Sequence, residues 1–231
     1  MDFDSALHLQ KATGRAKSDV ANKLVSMVLH DISSRVAAAG GASVKDPAYQ
    51  TAVVAAFGKN CVYCSRSLEH DRAANEHLEG MNRVRVGLHI PGNVAVACVT
   101  CNREKRRDDM NVITPLADTG WESFLSHDGG GDRCVASCKT CAYWAAVWPS
   151  EVVRKTNLTT AIKRIRHFRL PYQRFTTWNV KHRPVIQAKV EALYRECQAF
   201  AKRGMEELTA GTLLDFEALQ AESASAAGLG A

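Results

Sequence analysis

Two Cys-x-x-Cys pairs, Cys61-Val-Tyr-Cys64 and Cys98-Val-Thr-Cys101, constrain what this chain can fold into more than any other feature. A two-residue spacing lets a tight knuckle turn aim both thiolates at one ion, and two knuckles complete the tetrahedron that structural zinc prefers. The 33 residues between Cys64 and Cys98 are then closed into a loop. The rival uses of such thiols are free cysteines in a core and redox couples. A thioredoxin-like couple needs a βαβ setting around each pair, which the flanking residues do not offer. An oxidising compartment would turn the even count of eight cysteines into disulfides. The N-terminus MDFDSALHLQKATG lacks the charged-then-apolar layout of a secretory signal, and no apolar run approaches the roughly 18 to 20 residues of a membrane span. The expectation is a cytoplasmic chain with reduced thiols and no membrane association.

What lies between the pairs carries the chemistry. The loop reads Asn75-Glu76-His77, then a connector with Arg83 and Arg85, then Gly92-Asn93, then Cys98-x-x-Cys101-Asn102-Arg103-Glu104-Lys105. Short β-like runs, VRVGLHI (84–90) and VAVACV (94–99), flank a turn at Pro91-Gly92-Asn93, and a polar, basic helix is expected to start at Asn102. An imidazole suits proton abstraction because its ordinary pKa lies near neutrality. Carboxylate and amide oxygens suit a hard divalent cation. Each residue also has a plainer use: Asn93 tolerates the turn after Pro-Gly, and Asn102 caps a helix.

The loop resembles the HNH (ββα-metal) endonuclease family, whose cores show a zinc CxxC, an acidic-His pair, a loop Asn, and a second CxxC followed at once by Asn or His. The resemblance covers residues 58–110. It implies metal-dependent hydrolysis of a DNA phosphodiester to a 5′-phosphate and a 3′-hydroxyl. His77 would be the general base, Glu76 and Asn102 the ligands of a catalytic Mg2+ or Mn2+, and Asn93 the residue that orients the histidine. Cys61, Cys64, Cys98 and Cys101 would hold a structural Zn2+. His89 is the alternative base. The chain departs from the family pattern in carrying Glu where Asp is commoner and Asn in place of the last His.

A second group, Cys134-x3-Cys138-x2-Cys141, supplies three thiols for a second zinc, with His127, His167 or Cys197 as the fourth ligand. Its rival is a small apolar core against Tyr143, Trp144 and Trp148. The net charge of +6 is unevenly spread. From Arg154 to Arg183 there are nine Lys or Arg and no acid, while the rest of the chain holds 21 basic against 24 acidic residues. A solvated helix face mixes both signs, whereas this run, interleaved with Phe168, Tyr172, Phe175 and Trp178, reads as a surface that follows phosphates. Arg164, Arg166 and Arg169, with Arg103, Lys105, Arg106 and Arg107 of the catalytic helix, are the expected nucleic-acid contacts.

The expected fold is α+β and mainly helical: an N-terminal helical segment (1–57), an HNH core (58–115), and a C-terminal helical region (116–231). Residues 5–38 form one or two helices that end at Gly40-Gly41, and Pro47–Phe57 forms a helix closed by Gly58. The stretch 151–183 is helical and basic. A new helix starts after Pro184 and runs to 220, ahead of a frayed tail. The implied partners are DNA, in preference to RNA, and a second copy of the chain or a protein of a restriction or phage-defence system. The rival function is a zinc-ribbon nucleic-acid-binding module without catalysis, which leaves Glu76, His77 and Asn102 unused.

Overall fold

In a computed structural model, residues 9–109, 120–127 and 134–210 are described, with the side chains of 9–18, 106–109 and 209 excepted. The glycine-rich segment Asp128-Gly-Gly-Gly-Asp132, the side chains of Arg106 and Arg107, and the tail beyond 210 lie outside the described residues. The elements are α1 (Leu9–Gly40), α2 (Pro47–Phe57), β1 (Ala73–His77), β2 (Val94–Cys98), α3 (Val99–Asp109), α4 (Gly120–Leu125), α5 (Lys139–Val147), α6 (Glu151–Arg169), a 3-10 turn (Leu170–Tyr172) and α7 (Gln173–Thr209). The fold is α+β and mainly helical, with one two-stranded antiparallel sheet. By contact the chain forms two compact units, residues 1–24 with 191–231, and residues 25–190. The larger unit holds both cysteine groups and the sheet. No described helix is long and apolar enough to cross a membrane.

Local chemistry accounts for most boundaries. Helix α1 is a single helix that stops at Gly40, and Gly41 follows at φ +65°, a conformation open to glycine. Pro47 opens α2, where its missing N–H costs nothing, and Gly58 at φ +63° ends it. The Ser150 hydroxyl caps α6 by accepting from Val153 N–H.

Three expectations are corrected. The helix after the second CxxC starts at Val99 rather than Asn102, because Cys98 Sγ accepts the Cys101 N–H at 3.4 Å and serves as the cap. Asn102 therefore sits inside the first turn. Pro184 does not start a helix: α7 runs through it from Gln173 to Thr209, and the chain breaks instead at the 3-10 turn that holds Pro171. The apolar positions Phe175, Ile186 and Val190 stay buried on either side of Pro184, and that burial offsets the one backbone bond a proline removes. The run VRVGLHI is not a strand. Asn82 Oδ1 accepts from Val84 and Arg85 N–H and coils the backbone, and Val86 takes φ +52°. The partner of β2 is the polar segment Ala73–His77, in a register that sets Ala73 against Cys98 and His77 against Val94. Periodicity could not find this strand, because Asn75, Glu76 and His77 are polar.

The core of the larger unit packs β2, α4, the Trp144 face of α5 and the Leu158-Ala161-Ile165-Phe168 stripe of α6. Tyr49 of α2 ties the start of β2 to this core: its hydroxyl accepts from Gly92 and Val94 N–H and donates to the Val94 carbonyl. The connector between the strands folds back tightly on itself. A Cβ added at Gly87 would lie 1.8 Å from the Glu79 carbonyl oxygen, so the backbone would have to move apart. Gly87→Ala is expected to destabilise the fold by about 1–3 kcal/mol, read as a lower midpoint in chemical denaturation; an unchanged midpoint would show that the connector is not held this closely.

Candidate functional site

The two cysteine groups are those among the described residues in which three or more His, Cys, Asp or Glu donors converge. Cys61, Cys64, Cys98 and Cys101 place their sulfurs within 4.8 Å of one another, and so do the donor atoms of His127, Cys134, Cys138 and Cys141. His127 is thus the fourth member of the second group. His167 is exposed on α6, and Cys197 belongs to the smaller unit. A tetrahedral zinc with bonds of about 2.3 Å to sulfur and about 2.0–2.1 Å to nitrogen separates two sulfurs by about 3.8 Å and a nitrogen from a sulfur by about 3.5–3.6 Å. Cys64 and Cys98 lie 3.9 Å apart, and His127 Nδ1 stands 3.6, 3.3 and 3.5 Å from Cys134, Cys138 and Cys141. Both groups therefore have the donor set and the edge lengths to hold zinc.

Each group carries the supporting bonds that such a site needs. Cys101 N–H points at Cys98 Sγ, and Cys141 N–H at Cys138 Sγ, so both second knuckles use the same turn. The Tyr143 hydroxyl lies 3.0 Å from Cys101 Sγ and links the first group to α5, which opens at the second. Hydrogen bonding from Cys101, Cys61 and Cys64 holds the Cys98 thiol far below its usual value, while Cys61, Cys64 and Cys98 push Cys101 far above. Without a cation the quartet keeps protons, because four thiolates this close repel. In the second group burial pushes Cys138 up, but the Cys141 N–H, Cys134 and His127 bring it down to about 7.

Around the first group, β1, β2 and α3 form a ββα unit. β1 ends in Glu76-His77, Asn93 stands immediately before β2, and Asn102 lies in the first turn of α3. Asn93 is 1 % exposed: its Oδ1 accepts Glu79 N–H at 2.7 Å, and its Nδ2 donates to the Leu88 and Glu79 carbonyls. It clamps the two ends of the connector and so fixes the chain just after His77. Glu76 is 3 % exposed, and its Oε1 accepts from the Tyr63 hydroxyl and from Lys105 Nζ, each at 2.9 Å. Lys105 also donates to the His77 carbonyl. His77 Nε2 lies 3.0 Å from His89 Nδ1. Burial, then His89, Lys105 and His30, hold His77 down to about 3, so its ring is neutral at neutral pH.

His89 lines two clefts, one of about 620 Å3 with His30, Ser33 and Lys45, and one of about 430 Å3 with Tyr49, Asn75 and Val96. His77 lines neither of them.

Of the seven expected nucleic-acid residues, the five whose side chains are described are not brought to one surface. Arg103 is exposed on α3. Arg164 reaches Ser65 Oγ, and Arg166 pairs with Glu122 at 2.7 Å. Lys105 and Arg169 turn inward, Lys105 to Glu76 and Arg169 to buried Glu79, whose other oxygen accepts Gly120 N–H. Within the basic stretch, exposed positive charge comes from Lys155, Lys163, Arg166, Arg174 and Lys181. Neither the roles of Tyr63, Glu79 and Tyr143 nor the inward turn of Lys105 has a signal in the sequence, since each depends on a partner far along the chain.

The chain matches no protein-family model, no curated protein and no solved structure.

Two results are expected. Metal analysis of the purified chain should find about two zinc ions per chain, falling to one in Cys138→Ser; a ratio of one before substitution would remove the second group. Removing one partner of a buried ion pair leaves the other charge uncompensated, so Lys105→Met should lower stability by about 3–5 kcal/mol, whereas a solvated, phosphate-facing lysine would change the denaturation midpoint little.

Proposed function

We propose that the chain is a metal-dependent endonuclease that hydrolyses DNA phosphodiester bonds through its ββα unit. One observation carries the reading: His77 and Glu76 end β1, Asn93 clamps the loop before β2, and Asn102 occupies the first turn of α3, all around one thiol quartet. The HNH resemblance implies this same set in this same order.

Such a reaction needs a base for water and a cation beside the phosphate. His77 is neutral at neutral pH, so its lone pair is available, although burial makes it a weaker base than a free imidazole. Glu76 and Asn102 offer one carboxylate and one amide oxygen, a donor set that fits Mg2+ or Mn2+, which take few protein ligands and complete their shell with water and substrate phosphate. A cation held there would supply the charge that offsets the one building on the leaving oxygen. The Tyr63 hydroxyl and the Lys105 ammonium fix the Glu76 carboxylate, as outer partners of ligating carboxylates do. Arg103, Lys163, Arg174 and Lys181 supply exposed positive charge for phosphates. The resemblance points to DNA rather than RNA and to a restriction or phage-defence setting, with a second copy or a defence protein as partner.

The second reading is a zinc-bound nucleic-acid-binding module without catalysis. What favours it is the pairing of Glu76 with Lys105, which already sets a positive charge against the carboxylate.

The two readings diverge in a plasmid-cleavage assay with magnesium or manganese. His77→Ala should lose about 10²- to 10⁴-fold in rate while keeping its zinc and its affinity for DNA. EDTA should stop the wild-type reaction and added Mg2+ or Mn2+ restore it. A wild-type chain that binds DNA but never cuts it would establish the binding module.

A further inference from the structure

The mechanism above uses one ring nitrogen of His77 and leaves the other unexplained. That nitrogen, Nε2, lies 3.0 Å from His89 Nδ1, with the two rings 5.2 Å apart and tilted by 59°. Both backbones are held. His77 is paired with Val94 across the sheet, and Lys105 binds its carbonyl. His89 donates its backbone N–H to Ser33 Oγ of α1 at 2.8 Å, and Ser33 is 2 % exposed and itself donates to the Leu29 carbonyl. On the other flank, Asn93 holds the Leu88 carbonyl at 2.7 Å, and Ile90 is buried. Three elements, α1, β1 and the connector, thus converge to set two imidazoles at hydrogen-bonding distance.

We propose that His89 is the positioning residue for His77: its Nδ1 accepts a hydrogen bond from His77 Nε2–H, which leaves the lone pair of His77 on Nδ1, the nitrogen that takes the proton from water. The direction of the bond follows from tautomer chemistry. A neutral imidazole favours the Nε2–H form, and this direction puts both rings in it, whereas the reverse puts both in the Nδ1–H form. A separation of 3.0 Å between two ring nitrogens needs an N–H on one ring and a lone pair on the other, so one proton lies in the bond and each ring is fixed in one tautomer. The bond that one nitrogen makes decides which nitrogen is left for chemistry.

In the reaction, an O–H bond of water breaks and its proton goes to His77 Nδ1. The water oxygen bonds phosphorus, the bond from phosphorus to the 3′ oxygen breaks, and that oxygen leaves with the electron pair and takes a proton from solvent. His77 is then a cation, and its Nε2–H bond to His89 becomes charge-assisted at the moment the positive charge appears. The His89 Nε2–H lies on the far side of its ring from this bond, on the residue that lines both clefts.

This inference rests on the nuclease reading, and its test separates the two. Nitrogen-15 NMR of the imidazoles in the full zinc-loaded chain reads the tautomers directly, without any cleavage. His77 should carry its proton on Nε2 and show a bond to His89. His89→Ala should redistribute the His77 tautomers and lower turnover by about 10- to 100-fold, with zinc content unchanged. His89→Asn, which keeps an acceptor oxygen close to the place of Nδ1, should restore the His77 tautomer and most of the rate. A wild-type His77 protonated on Nδ1, or a His89→Ala chain with unchanged tautomer and turnover, would overturn the proposal. The expected His77 signals in a chain that cuts no DNA would overturn the nuclease reading and leave the histidine pairing in place.

Discussion

Four sulfurs from residues 61–101 meet within 4.8 Å, and the rest of the larger unit is arranged around the cost of that meeting. Thiolates at such distances repel, so the cluster is stable only with a cation at its centre or with protons shared among the sulfurs. Because its thiols come from the turn after α2 and from the junction of β2 with α3, the cluster ties a helix, a sheet and a second helix into one register. A two-stranded sheet alone is marginal in water. This one is anchored at Cys98, where strand, cap and thiol cluster coincide.

The second constraint is charge buried beside that cluster. Glu76, Glu79, Lys105 and Asn93 are each at most 3 % exposed, a density of polar groups that a core accepts only when every group has partners. Tyr63 and Lys105 answer Glu76, while Arg169, Gly120 N–H and Asn93 answer the side chain and backbone of Glu79. These bonds are directional, and they place the end of β1, and with it His77, more narrowly than apolar packing would. Part of the basic stretch is used the same way. Arg154 is buried and donates to the carbonyls of Trp148 and Pro149, and Arg169 closes on Glu79. A run with no acids in sequence is therefore not a uniformly solvated face, because its counter-charges come from other elements.

The second cysteine group shows how far spacing carries an argument. Three thiols at 134, 138 and 141 announce a site, but a choice among His127, His167 and Cys197 needs the fold. His127 follows α4, and Trp144 of α5 donates to the Phe124 carbonyl, so the packing of α4 on α5 is what delivers the histidine to the thiols. The apolar patch at 143–148 and the His-Cys cluster are not rival uses of this segment. Trp144 is fully buried in the core from the same helix whose start carries Cys138 and Cys141.

What the sequence determined by itself was local or additive. The cysteine knuckles depend on contacts three residues apart, helix ends on single glycines and prolines, and the concentration of charge on a sum, so all of these were legible without coordinates. The mainly helical α+β class followed from the same signals, whereas the ββα core was only implied by the HNH resemblance, and its first strand was misplaced at 84–90. Only the tertiary structure decided the rest. It made Ala73–His77 a strand although its residues are polar, carried α7 through Pro184, turned Lys105 onto Glu76, and set His89 against His77. The physical reason is common to all four: each outcome is a bond or a burial between residues distant in sequence, and its energy exists only once the chain has closed around the thiols.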